Sequence, residues 1–141
     1  MQFLEPEPAG LPASDPEPHG LGYVDGLLQQ LAAAAELCLK PQRYGARYGQ
    51  QPVADSFDCC VYLEARSESG ERHGAADLEL EIYRSGSSLN LMLSRSNQPL
   101  APLLWHGHHP VWMDASTGER CERPADGAPL EALARRVRAL L

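Results

Sequence analysis

The chain has 141 residues and a mass of 15.4 kDa, which fits one domain whose folding hides roughly two-thirds of the surface an unfolded chain exposes. A hydrophobic content of 43% with 22% charged residues excludes both general disorder and a miniature stapled by disulfides. The formal net charge of −7 argues against non-specific nucleic-acid binding, which needs many cations against phosphates, and no apolar run reaches the roughly 18 residues of a membrane span.

Residues 1–21 are expected to form a flexible acidic tail, because Pro6, Pro8, Pro12, Pro16 and Pro18 alternate with acids and glycines that bury little apolar surface. Within it Phe3 and Leu4 are candidate anchors for docking. The tail lacks the cationic start and apolar stretch of an export signal, so a cytoplasmic location is expected. Residues 22–141 then make a single α+β domain. Six acids and no Lys or Arg fall in residues 1–39, whereas Lys40, Arg43 and Arg47 follow with no acid among them, a cationic patch in an acidic molecule.

Val24, Leu27, Leu28, Leu31, Ala35 and Cys38 recur at helical spacing, so a first helix is expected from about 24 to 39, ended by Pro41. Residues 41–56 read as a loop from their prolines and glycines. This loop carries a near-repeat, Arg43, Tyr44, Gly45 and then Arg47, Tyr48, Gly49, in which guanidinium donors beside aromatic rings suit a partner's carboxylates or phosphates. The plainer alternative packs the tyrosines over the sheet edge and leaves the arginines in water.

Phe57 to Ala65 alternates apolar and polar and predicts a half-buried strand, with Cys59 and Cys60 on opposite faces. Leu78, Leu80 and Ile82 alternate with Glu79, Glu81 and Tyr83, and Leu89, Leu91 and Leu93 follow beyond a turn. A four-residue turn at 84–87 would place Ile82 opposite Leu89, Leu80 opposite Leu91 and Leu78 opposite Leu93. A second hairpin is expected through Val111 to Asp114, a turn at 115–118, and Glu119 to Arg123, which sets Cys121 opposite Trp112. Leu130, Leu133, Ala134, Val137 and Leu140 stripe a final helix. The expected fold is therefore an antiparallel meander of four to five strands with an N-terminal and a C-terminal helix packed on its apolar face.

Both tryptophans and three of the five histidines lie in Trp105 to Trp112. His106, His108 and His109 are candidate ligands for zinc or another transition metal, with Asp114 or Cys121 as further donors, which would make this corner the centre of a metal- or small-ligand-dependent enzyme. No phosphate loop, dinucleotide fingerprint or nucleophile elbow is present. The four cysteines show no zinc-framework spacing and are expected to be free thiols. The leading expectation is a non-catalytic module that binds another protein through Arg43, Tyr44, Arg47, Tyr48, Trp105 and Trp112, as adaptor, assembly factor or regulator, with no cofactor, no nucleic acid and no membrane. A homodimer through the sheet face and an acidic immunity or antitoxin protein are alternatives.

Overall fold

A computed structural model describes residues 21–52 and 58–141, with side chains from residue 26 onward. The expected tail, its anchors Phe3 and Leu4, and Phe57 lie outside the described residues, apart from Leu21 at the tail's end. In chain order the elements are α1 (Leu21–Cys38), β1 (Arg43–Gln50), β2 (Cys59–Arg66), β3 (Leu78–Ser85), β4 (Ser88–Arg95), β5 (Leu103–His106), β6 (Pro110–Met113), β7 (Arg120–Cys121) and α2 (Ala128–Leu140). One antiparallel sheet joins all seven strands in sequential order, each strand pairing only with its chain neighbours.

The expectation of four to five strands falls short chiefly because residues 43–50, read as a loop, form the edge strand β1. Glycine and arginine are poor strand formers, which hid the period of two. Tyr44, Ala46 and Tyr48 turn toward the core, while Arg43, Gly45, Arg47 and Gly49 face the other way. Residues 103–106 and 110–113 close a further hairpin across Gly107, His108 and His109.

The β3–β4 hairpin also differs from its expected register, by two residues. Ile82 faces Leu91, Leu80 faces Leu93, Leu78 faces Arg95 and Arg84 faces Leu89, so the turn holds only Gly86 and Ser87. Gly86 has φ of 63°, the left-handed conformation that a two-residue hairpin demands at its first central position and that glycine supplies at low cost. The second hairpin has Trp112 opposite Cys121, and its turn is held by the Asp114 carboxylate, which accepts hydrogen bonds from the amides of Ser116 (2.8 Å) and Thr117 (3.1 Å).

The core forms on one sheet face. Val61, Leu63, Leu80, Ile82, Leu91, Leu93 and Leu104 project there, and Leu27, Leu31, Ala34 and Ala35 of α1 join Leu130, Leu133, Ala134 and Val137 of α2 in the same buried cluster. Helix α1 touches β1 and α2, and α2 reaches β4 and β5. Between β2 and β3 the turn is clamped by Asp77, which is 7% exposed. Its carboxylate accepts from Ala65 N (2.7 Å), from Arg72 Nη1 (3.0 Å) and from Arg72 Nη2 (2.7 Å). The Arg72 guanidinium holds the Asp77 carboxyl below the ordinary carboxylate range, and the Ala65 amide adds to this against an opposing effect of burial. Among the described residues no helix is long and apolar enough to cross a membrane.

Candidate functional site

The alternation of β1 divides its two Arg-Tyr pairs between faces. Tyr44 is buried, its hydroxyl donates to the carbonyl of Ala76 (2.9 Å), and burial pushes its phenol up to about 12. Tyr48 packs against the core cluster. Arg47 lies on the opposite face, where its Nε donates to Glu64 Oε2 at 2.9 Å and its guanidinium stands 4.6 Å from the centroid of the Tyr62 ring. With both partners largely exposed, that ion pair contributes little to stability. Arg43 is exposed and sits opposite Arg66 of β2. The four residues therefore do not form one clamp.

The tryptophans are separated in the same way. Because Leu104 pairs with Trp112 and Trp105 with Val111, the two indoles leave opposite faces of the sheet. Trp112 is 5% exposed and donates from Nε1 to Glu131 Oε2 of α2 (2.7 Å), while the other oxygen of Glu131 accepts from Arg123 (3.3 Å). Trp105 is half-buried on the outer face and donates to the Tyr83 hydroxyl at 3.0 Å.

The histidines scatter too. His106 ends β5 on the core side, 4% exposed, with Nδ1 at 3.2 Å from the carbonyl of Gly107. Burial pushes its pKa down, Arg138 and Arg135 of α2 add to this, and the Gly107 carbonyl opposes it. His108 and His109 are exposed in the turn that follows. Cys121 lies beside Trp112, and Asp114 is occupied by its own turn. Among the described residues no group of three or more His, Cys, Asp or Glu side chains is placed to hold a metal ion.

All four cysteines are free thiols. Cys59 turns inward and is buried, and its thiol is pushed up to about 11, first by burial and then by Asp58. Cys60 faces outward and donates to Glu79 Oε2 at 3.4 Å, and burial followed by that carboxylate pushes it up to about 12. A thiol held so far from ionisation makes a poor nucleophile.

What the scattered residues share is the sheet face away from the helices. One row crosses five strands there: Cys60, Glu81, Met92, Trp105 and Val111 stand in consecutive register. A second row runs Arg47, Tyr62, Glu79 and Ser94. The β1–β3 half of this face is charged, whereas β4–β6 present Met92, Leu103, Trp105, Val111 and Met113, all half-buried. Sequence reasoning missed Tyr62, Tyr83, Met92, Leu103, Val111 and Met113 as site residues; the outward positions of Tyr62, Tyr83 and Met92 follow from the alternation of their strands, whereas those of Leu103, Val111 and Met113 depend on the β5–β6 pairing.

Nothing among curated proteins and nothing among solved structures matches the chain. One family profile does, described as "Domain of unknown function (DUF8659)", over residues 28–140. That span runs from within α1 through every strand to the end of α2, so the match covers the sheet, α2 and the C-terminal part of α1. The chain belongs to the DUF8659 family, whose function is unknown.

Proposed function

We propose that this chain is a protein-binding module without catalytic activity, an adaptor, assembly factor or regulator acting in the cytoplasm, and that its contact surface is the outer face of the sheet. The observation that carries this reading is the apolar half of that face. Both helices bury their apolar residues on the opposite side, and among the described residues no helix packs over Tyr83, Met92, Trp105 and Val111. Half-buried aromatic and methionine side chains bordered by Glu81 match the composition of interface centres, where large rigid side chains exclude water and a polar rim surrounds them. Tyr83 fixes the Trp105 ring in advance, which lowers the entropy lost on binding.

The test compares affinity capture by the wild-type chain with capture by Met92→Glu, which sets a charge at the centre of the apolar row. A stoichiometric partner retained by the wild type and lost by a variant of unchanged melting temperature supports the reading. Equal retention by both refutes it. If the partner recovered is a second copy of the chain, the face serves a homodimer.

A further inference from the structure

A groove of about 640 Å³ runs along the C-terminal end of α1, between Leu37, Lys40, Arg43 and Glu68. It continues past Arg43 and Glu36 into a second hollow of about 380 Å³ lined by Tyr44, Gly45, Arg66 and Gly70. Arg43 and Arg66 stand directly opposite each other on β1 and β2, which brings their side chains within roughly 5 Å at Cβ. Like charges in that position destabilise a sheet.

Acids are not scarce in this chain, which has 19 of them against 12 Lys and Arg, and four residues along the same strand Arg47 does find Glu64. Among the described residues Lys40 and Arg43 make no ion pair. Among the described residues the Arg66 side chain donates only to the carbonyl of Gly70 (2.9 Å), which holds its guanidinium at the hollow. The acids nearby compensate only in part: Glu36 lines both hollows and accepts from the amide of Tyr44 at 2.9 Å, Glu68 lines the first but not the second, and these two carboxylates stand against the three cations Lys40, Arg43 and Arg66. The arrangement is short of an anion.

We propose that this groove binds the carboxylate side chains of an acidic segment of a partner protein, with Arg43 and Arg66 as the direct contacts and Lys40 at the far end. The inference rests on the protein-binding reading and names the chemistry of one partner. Guanidinium groups meet carboxylates in a two-bonded fork, a geometry that a pair of facing arginines can offer twice. A nucleic acid fits less well, because the groove's aromatic ring, Tyr44, is buried and cannot stack on a base.

The test uses the full-length chain and a fluorescein-labelled peptide of alternating Glu and Ala, followed by anisotropy, with a Gln and Ala peptide as control. At about 20 mM salt, where screening is weak, the Glu peptide binds and the Gln peptide does not, and binding fades as salt is raised. Arg43→Glu weakens binding by roughly tenfold or more. The same substitution places an acid opposite Arg66, so the melting temperature does not fall, which separates lost recognition from lost folding.

Changing Glu5, Glu7, Asp15 and Glu17 to Gln in the full chain leaves the affinity unchanged. Absence of binding, or equal binding by Arg43→Glu, overturns the proposal. So does binding that emerges only once the tail acids are neutralised, since the groove then belongs to the chain's own N-terminal segment. A captured partner lost with Met92→Glu but kept with Arg43→Glu removes the groove while leaving the outer-face reading intact.

Discussion

Replacing Asp77 with alanine tests how the β2–β3 turn is held. The substitution removes the acceptor from the Ala65 amide and from both Arg72 nitrogens. With the Asp77 side chain only 10% exposed, water cannot simply take its place beside the Ala65 N–H, and a buried donor left without a partner costs about 1–3 kcal/mol. Arg72 has 44% of its side chain exposed and recovers solvent contacts when released. Adding the lost acceptor bonds of the carboxylate itself, the expected loss for Asp77→Ala is about 2–4 kcal/mol, a shift of roughly 10 °C in melting temperature. Asp77→Asn keeps an amide oxygen for Ala65 and loses the charge, so its cost is about half as large.

The two variants also differ from the wild type in acid. A carboxyl whose folded pKa lies below its unfolded value contributes stability that is complete at neutral pH and is lost as pH falls below about 4 and through the folded value. Asp77→Asn lacks that component, so its stability declines less steeply between pH 7 and pH 3. Urea unfolding across this range measures both effects. A loss under about 0.5 kcal/mol for alanine, or equal losses for alanine and asparagine, refutes the assignment of Asp77 as the acceptor that holds this turn.

Three further expectations concern the Trp and His hairpin and the thiols. A methyl group on Gly107 would lie 2.7 Å from Trp105 Cη2 and 3.2 Å from Asn90 Oδ1, so Gly107→Ala expels the indole from Tyr83, costs about 1–3 kcal/mol and red-shifts the emission; an unchanged spectrum refutes the contact. His106 has a depressed pKa, so below its ordinary value of 6.5 the unfolded chain takes up a proton that the folded chain resists, and stability falls with pH. His106→Gln flattens that fall between pH 7 and pH 5, and an unaltered slope in urea unfolding counts against burial of the ring. Iodoacetamide at pH 8 modifies Cys38 and Cys121 ahead of Cys59 and Cys60, whose thiols are pushed up to about 11 and 12, and peptide mass spectrometry showing Cys60 first would contradict the Glu79 contact.

The helices and the β3–β4 pair were legible in the sequence because their apolar residues repeat at the period of the element, Leu130 to Val137 on a stripe and Leu78 to Leu93 in alternation. Alternation cannot see a slip of two residues, since every side chain keeps its face, and only the turn chemistry of Gly86 fixes the register. β1 was hidden by composition, because Arg43, Gly45, Arg47 and Gly49 fill its outward positions with residues that signal loops elsewhere. The Trp105 to Trp112 window gathered its residues in sequence, yet the hairpin parity that pairs Trp105 with Val111 sends the indoles apart. The outer face was not legible as a surface at all. It arises only when seven strands are laid side by side, and its apolar half draws on three of them.

The strictly sequential sheet bears on how this chain comes off the ribosome. Each strand pairs with its neighbour in the chain and can do so once both have emerged, so pairing can proceed from β1 toward β7 without waiting for distant segments. The core does not close in the same order. Leu80, Leu91, Leu93 and Leu104 wait for Leu133 and Val137 of α2, and α1, made first, has α2 as a packing partner that is made last. Until α2 is released, the nascent sheet shows apolar surface on both faces, and the interval before that helix docks is when the chain is most exposed to aggregation.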